Sequence, residues 1–189
     1  MNISNSIIYL IGFAGTGKLT IAKELIKLAN FRLIDNHLIN NPIFTTIQLD
    51  GITPIPEEVW QKVWKVRNIV LDSILKFSPE SFNFIFTNDL IEGGKKDLIA
   101  YNKVMKIASK RKSAFLPVRL LCDREILANR IISPERAKYY KSYNKEAAFK
   151  NFDNNQVFMP DHPNCFNLDT SNLSPKESAK IIFDKLLSL

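Results

Sequence analysis

Gly12-Phe13-Ala14-Gly15-Thr16-Gly17-Lys18 lies between a short apolar run, Ser6 to Ile11, and a segment with helical spacing. Glycines at these intervals let the backbone curl until successive N–H groups point inward, and the following helix adds its partial positive end. Such a loop receives phosphate oxygens, and the lysine after its last glycine reaches the β- and γ-phosphates of a nucleotide. Gly12, Ala14, Gly15, Thr16, Gly17, Lys18, Leu19 and Thr20 are therefore the expected nucleotide-binding residues. One position departs from the pattern. The residue after the lysine normally offers a hydroxyl to Mg²⁺, and here it is Leu19. Thr20 follows, in the place that usually faces the α-phosphate. Either water and a carboxylate carry the magnesium, or metal use is weakened.

Outward from this loop the chain alternates strand-like and helix-like segments. After the loop, Ile21, Ala22, Leu25, Leu28 and Ala29 recur at helical intervals, and Phe31 to Ile34 forms a second short strand closed by Asp35. Asn36 to Pro56 reads as irregular, rich in Asn, Pro and Thr. A long helix follows, with one stripe from Val59 through Trp60, Val63, Trp64, Val70 and Leu71 to Ile74 and Leu75. The tryptophans fit packing, against the core or a substrate, better than base stacking. Phe82 to Phe86 and Phe115 to Cys122 are expected strands flanking a helix over Gly94 to Lys112, with its stripe at Leu98, Tyr101, Val104, Met105 and Ala108. Asp123 caps a further helix to Ile132, and Ser133-Pro134-Glu135 restarts another. Cys165 to Leu168 is an edge-like fifth strand, and Ser174-Pro175-Lys176-Glu177 is a capping box. This alternation predicts an α/β fold in three layers, a parallel sheet with helices on both faces. Gly12, Asp35, Thr87 to Asp89, Asp123 and Asp169 then fall at the carboxyl ends of strands, where such sheets bind ligands.

Composition narrows the field. The chain has 189 residues, 46% hydrophobic and 24% charged, as expected of one ordinary globular domain. Ile7 to Ile11 is too short to span a bilayer and follows no charged leader, so a cytoplasmic, unprocessed chain without membrane attachment is expected. Cys122 and Cys165 have no metal-ligand spacing and read as free thiols. A net charge of +7 and a pI near 9.4 suit a polyanionic partner, whether nucleotide, phosphorylated product or nucleic acid. Lys95, Lys96, Lys103, Lys106 and Lys110 fit a solvated helix face more simply than an RNA-binding patch. A guanine-reading N-K-x-D motif is missing, because Asn102-Lys103-Val104 leads to Met105.

With these parts in order, the chain resembles the small-molecule P-loop kinases, the group of shikimate, gluconate and adenylate kinases and chloramphenicol phosphotransferase. Gly17-Lys18-Leu19-Thr20-Ile21-Ala22 also resembles a stretch in bacterial kinase-like proteins of unassigned substrate. The resemblance implies a P-loop NTPase fold with five parallel strands in the order 2-3-1-4-5. It implies ATP and Mg²⁺ as cofactors, and transfer of the γ-phosphate to a hydroxyl of a small molecule. Asp35, after the second strand, would orient or deprotonate that hydroxyl, with His37 in support; the same carboxylate can also cap a helix. Asp89 would hold the magnesium shell through water, although Thr87 takes the more usual position. Arg130 would pack on the adenine, and Asn167 to Ser171 would approach the edge of the base. Arg136 would close over ATP within a lid at about 132–143 that also contains Lys138 and Lys141. The insertion at about 36–76 would select the acceptor, and it contains no motif that names one. Two other functions fit parts of the pattern: a nucleotide-binding regulator with weakened catalysis, motivated by Leu19, and a kinase directed at nucleic acid.

Overall fold

Alternate residues of a strand face opposite sides of a sheet, and the central strand of this protein buries both sides. In the computed structural model, which describes residues 3–49, 53, 55–132 and 144–189, β1 spans Ser6–Ile11 and every residue of it is buried. Ile7, Tyr9 and Ile11 enter one hydrophobic core, while Ile8 and Leu10 enter another. The remaining strands are β2 (Phe31–Asp35), β3 (Asn83–Asn88), β4 (Ala114–Leu121) and β5 (Phe166–Asp169). All pair in parallel, in the order β2-β3-β1-β4-β5. Helices α1 (Lys18–Leu28) and α7 (Pro175–Leu187) cover one face, through Ile21, Ala22 and Leu25 and through Ala179, Ile182 and Leu186. Helices α3 (Glu57–Phe77) and α4 (Lys95–Arg111) cover the other, through Leu71 and Ile74 and through Tyr101, Val104 and Ala108. This is the three-layer P-loop NTPase fold, with the expected strand order.

Several local expectations change. Asn36–Phe44 is a helix, α2, and not irregular chain. Its start is capped by Asp35, and the apolar residues Ile39 and Phe44 pack on Val63 of α3 in a small separate cluster. Leu98 lies outside the buried stripe of α4 and is 49% exposed; Ala100, Ile107 and Arg111 complete that stripe instead. The third strand begins one residue later than expected and continues to Asn88. Helix α5 runs Arg124–Ile131, and an unforeseen helix, α6 (Lys145–Asn154), packs beside it. Ser133-Pro134-Glu135, Arg136, Lys138, Lys141 and nearly all of the expected lid lie outside the described residues. Among the described residues no helix is long and apolar enough to cross a membrane.

Candidate active site

The phosphate loop joins β1 to α1 and takes the shape its glycines permit. Gly15 and Gly17 have φ of 95° and 86°, in the left-handed region that a Cβ disfavours. Gly12 is required for a different reason: a Cβ there would stand 2.7 Å from the Leu120 carbonyl oxygen and 2.8 Å from Thr16 Oγ1. The buried Thr16 donates its hydroxyl to the Phe13 carbonyl at 2.9 Å, fixing the turn. Lys18 folds back over the loop, with Nζ donating to the carbonyls of Gly12 at 2.5 Å and Phe13 at 2.9 Å. Thr20 Oγ1 donates to the Gly17 carbonyl at 2.8 Å. Leu19, beside it, contributes no polar side-chain atom.

Parallel pairing sets the next groups. Ile11 of β1 lies opposite Asn88 of β3, and Asp35 of β2 lies opposite Thr87. The loop and Asp35 therefore stand at the same edge of the sheet, two strand spacings or about 10 Å apart. Asp35 is 5% exposed. Its Oδ1 accepts from the His37 amide at 2.9 Å, and its Oδ2 accepts from Thr87 Oγ1 at 2.8 Å. The capping role and the site position thus belong to one carboxylate. His37 Nδ1 is 3.4 Å from the same Oδ1.

Asn88 connects the two halves of this edge. Its carbonyl accepts from the Gly12 amide at 3.2 Å, and its side-chain oxygen accepts from the Tyr9 hydroxyl at 3.0 Å. Its Nδ2 donates to Asn36 Oδ1 at 3.0 Å. Arg67 of α3 donates through Nη2 to the same Asn36 oxygen at 2.5 Å and to Asn40 Oδ1 at 3.4 Å. Burial lowers the pKa of Arg67, and the nearby Tyr9 opposes that shift. Tyr9 is itself raised, chiefly by burial. Sequence reasoning placed Asn88 at this edge without a role, and missed Arg67 and Asn36 as site residues. The available signal was a lone cation at helical spacing from Val63, Trp64, Val70 and Leu71, inside an otherwise apolar stripe.

Asp89 follows β3 directly and accepts from the Ala14 amide of the loop at 3.0 Å. Behind it, Asp97 is raised by burial first and by the Asp89 charge second. Thr87, the more usual magnesium position, is turned toward Asp35 instead. Among the described residues no group of three or more His, Cys, Asp or Glu is placed to hold a metal ion. Mg²⁺ bound with a nucleotide needs only one or two carboxylates beside phosphate oxygens and water. Asp89 places one carboxylate beside the loop.

On the opposite side of the loop, Arg130 of α5 is tied to the chain after β5. Its Nη2 donates to the carbonyls of Thr170 at 2.8 Å and Ser171 at 3.2 Å, and its Nη1 donates to Thr170 Oγ1 at 3.3 Å. Thr170 Oγ1 in turn donates to the Thr16 carbonyl at 3.3 Å, joining this segment to the phosphate loop. Asp169 lies below the usual carboxylate range because Ser171 donates to it through both hydroxyl and amide. Cys122, next to Arg130, is a free thiol with its pKa raised by burial. Helix α6 covers the loop from above, with Phe152 edge-on to Phe13 at 6.2 Å between ring centroids.

Solved structures share this architecture over nearly the whole chain. A gluconokinase from Sinorhizobium meliloti superposes with a TM-score of 0.64 at 11% identity, covering 100% of this chain and 94% of its own. A sugar kinase from Janibacter gives 0.62 at 14% identity, covering 96% and 94%. Shikimate kinase from Acinetobacter baumannii, solved in complex with shikimate, gives 0.57 at 18% identity, covering 98% and 95%. No protein-family model matches the sequence, and no curated protein sequence does. The chain carries the fold of the small-molecule P-loop kinases.

Proposed function

We propose that the protein is an ATP-dependent phosphotransferase acting on a hydroxyl group of a small molecule. The observation that carries this reading is the placement of Asp35 at the sheet edge shared with the phosphate loop, its carboxylate oriented by Thr87 and the His37 amide. The loop amides and the N-terminus of α1 would cradle the phosphates. Lys18 would exchange the Gly12 and Phe13 carbonyls for β- and γ-phosphate oxygens and stabilise charge there. The acceptor hydroxyl, hydrogen-bonded to Asp35, would attack the γ-phosphorus. Its proton passes to the carboxylate as the bond from γ-phosphorus to the bridging oxygen breaks, leaving ADP and a phosphate monoester. Asp89 would hold the magnesium shell through water; the ion, when bound, neutralises phosphate charge. Arg130 would pack on the adenine, and Asn167 to Ser171 would approach the edge of the base. Arg136 would close over ATP from the lid proposed at 132–143, and the acceptor would be chosen by residues 36–76. An APS kinase from Mycobacterium tuberculosis, which shares the fold, was solved in complex with AMPPNP and APS, an analogy that adds to the phosphate loop's support for nucleotide use.

The test is transfer of label from γ-³²P-labelled ATP to a panel of sugars, sugar acids, nucleosides and aminoglycosides, with ATP binding followed by calorimetry. Lys18→Ala should weaken ATP binding by about 30-fold or more, since it removes charge-assisted contacts to phosphate. Unchanged ATP binding in that variant would refute the phosphate-loop assignment. Leu19 motivates a second reading, a nucleotide-binding regulator. Under it Leu19→Ser raises turnover steeply from a near-zero baseline, whereas a working kinase shows robust turnover before the substitution.

A further inference from the structure

Helix α6 forms a roof over the phosphate loop, and α5 holds it there. Arg124 donates through Nε to Asp153 Oδ1 at 2.7 Å and through Nη2 to Asp153 Oδ2 at 2.8 Å. Its guanidinium also lies 3.8 Å from the centroid of the Phe149 ring. With Phe152 edge-on to Phe13, these contacts fasten the C-terminal part of α6 to both α5 and the loop. Beneath the N-terminal part is a pocket of about 130 Å³. Phe13 and Ala14 of the loop, Leu127 and Ile131 of α5, and Ala147 and Ala148 of α6 give it apolar walls. None of its lining residues is charged, and its polar side chains are the amides of Asn144 and Asn151. Asn144 Oδ1 accepts from the Ala147 amide at 2.9 Å, and Asn151 Oδ1 accepts from Asn155 Nδ2 at 2.9 Å. Both oxygens are engaged, which leaves the NH₂ donors for an occupant.

Size and chemistry together restrict that occupant. An engineered apolar cavity of about 150 Å³ holds benzene, so this pocket has room for one small ring. Ala14 joins it to the candidate site: its amide donates to Asp89, which follows directly on Thr87 and Asn88, the partners of Asp35 and Asn36. We infer that the pocket receives a compact, uncharged apolar group of the acceptor, bearing one oxygen that accepts a hydrogen bond. A polyol would strand hydroxyls against these walls, and an anion would find no countercharge, so both are disfavoured. The acceptor class is then an alcohol that carries a ring or branched hydrocarbon group with a neutral carbonyl or ether oxygen. The inference rests on the phosphotransferase reading of the neighbouring site.

The experiment titrates the full chain, without ATP, with ring compounds of similar size: cyclohexanone, methylenecyclohexane, cyclohexanecarboxylate and inositol. Binding is followed by NMR on the methyl groups of Leu127, Ile131 and Ala147. Cyclohexanone should bind saturably and about fivefold more tightly than methylenecyclohexane, which has the shape without the oxygen. Inositol and the carboxylate should bind roughly tenfold more weakly than the ketone, or not at all. Ala147→Phe, at an exposed position of α6, should fill the pocket and abolish ketone binding. Asn144→Ser, which keeps a helix cap, combined with Asn151→Ala should bring ketone and hydrocarbon to equal affinity. Tm should hold in both variants. No saturable ketone binding, ketone binding that survives Ala147→Phe, a ketone preference that survives the double substitution, or inositol binding as tight as the ketone overturns the inference. Label transfer from ATP to cyclohexyl and aryl diols is scored separately, against sugars and sugar acids. Pocket binding without transfer to any alcohol defeats the phosphotransferase reading alone. Transfer confined to sugars or sugar acids, and unchanged by Ala147→Phe, defeats the pocket assignment alone.

Discussion

Thr87 Oγ1 donates a 2.8 Å hydrogen bond to Asp35 Oδ2, and the two residues are register partners across β2 and β3. The sheet itself aims the carboxylate. Because Oδ1 is occupied by the His37 amide, the group is held in one orientation, with both oxygens accepting.

Asp35→Asn should therefore separate two roles. Asn caps a helix about as well as Asp, so Tm should change little. It cannot accept a proton, so transfer to an identified acceptor should fall by roughly 10²- to 10⁴-fold with ATP affinity unchanged. Thermal denaturation and steady-state kinetics on the same preparation decide it; full activity in the variant removes Asp35 from the chemistry.

Arg111 gives both terminal nitrogens to the backbone carbonyls of Ile74, Ser78, Pro79, Glu80 and Phe82, a clamp that carries a stability prediction with no functional component. Truncating it strands several partly buried carbonyls, so Arg111→Ala should cost about 3 kcal/mol in urea unfolding. Arg111→Lys should recover little of this, since a single ammonium cannot span carbonyls from Ile74 to Phe82. A loss under about 1 kcal/mol would show the carbonyls find other donors.

Gly15 tests the loop. An added Cβ would meet the Leu127 carbonyl oxygen at 2.9 Å on a backbone at φ +95°. Gly15→Ala should cost about 1–3 kcal/mol and weaken ATP binding at least tenfold, read by denaturation and calorimetry. Wild-type affinity in this variant would mean the loop tolerates a different shape.

How much of this was legible in the sequence follows from the range of the forces involved. Gly12 to Lys18 could be read because each glycine answers a local backbone demand. The parallel sheet was available because buried strands and amphipathic helices alternate, and the resemblance implied its strand order. Asn36 to Phe44 was misread because Asn and Pro disfavour a helix locally, whereas the Asp35 cap and the packing of Ile39 and Phe44 against α3 are tertiary. Arg67 was passed over for the same reason. Its meaning lies in Asn36 and Asn40, 31 and 27 residues away in the chain.

Asp97 offers a pH test. Burial and the neighbouring Asp89 raise its pKa in the folded protein, so its protonated form fits the fold better than its ionised form. Its stabilising contribution is complete below the unfolded value of about 3.9 and is lost as pH rises through the higher folded value. Asp97→Asn should accordingly gain stability relative to wild type between pH 3 and pH 7, measured by urea unfolding at each pH. A relative loss over that interval would mean ionised Asp97 is favoured.

Asn88 touches the first glycine of the loop with its carbonyl and the Asn36–Arg67 pair with its side chain. On the proposed function, a shift on either side would be felt by the other through one residue, which predicts thermodynamic coupling of the two substrates. Prior occupancy by nucleotide should then change acceptor affinity, and the acceptor should change nucleotide affinity by the same factor. Titrating each ligand with and without the other measures that factor, and Asn88→Ala should bring it to one. On the proposed function, such wiring would let the occupancy of one site report to the other before transfer.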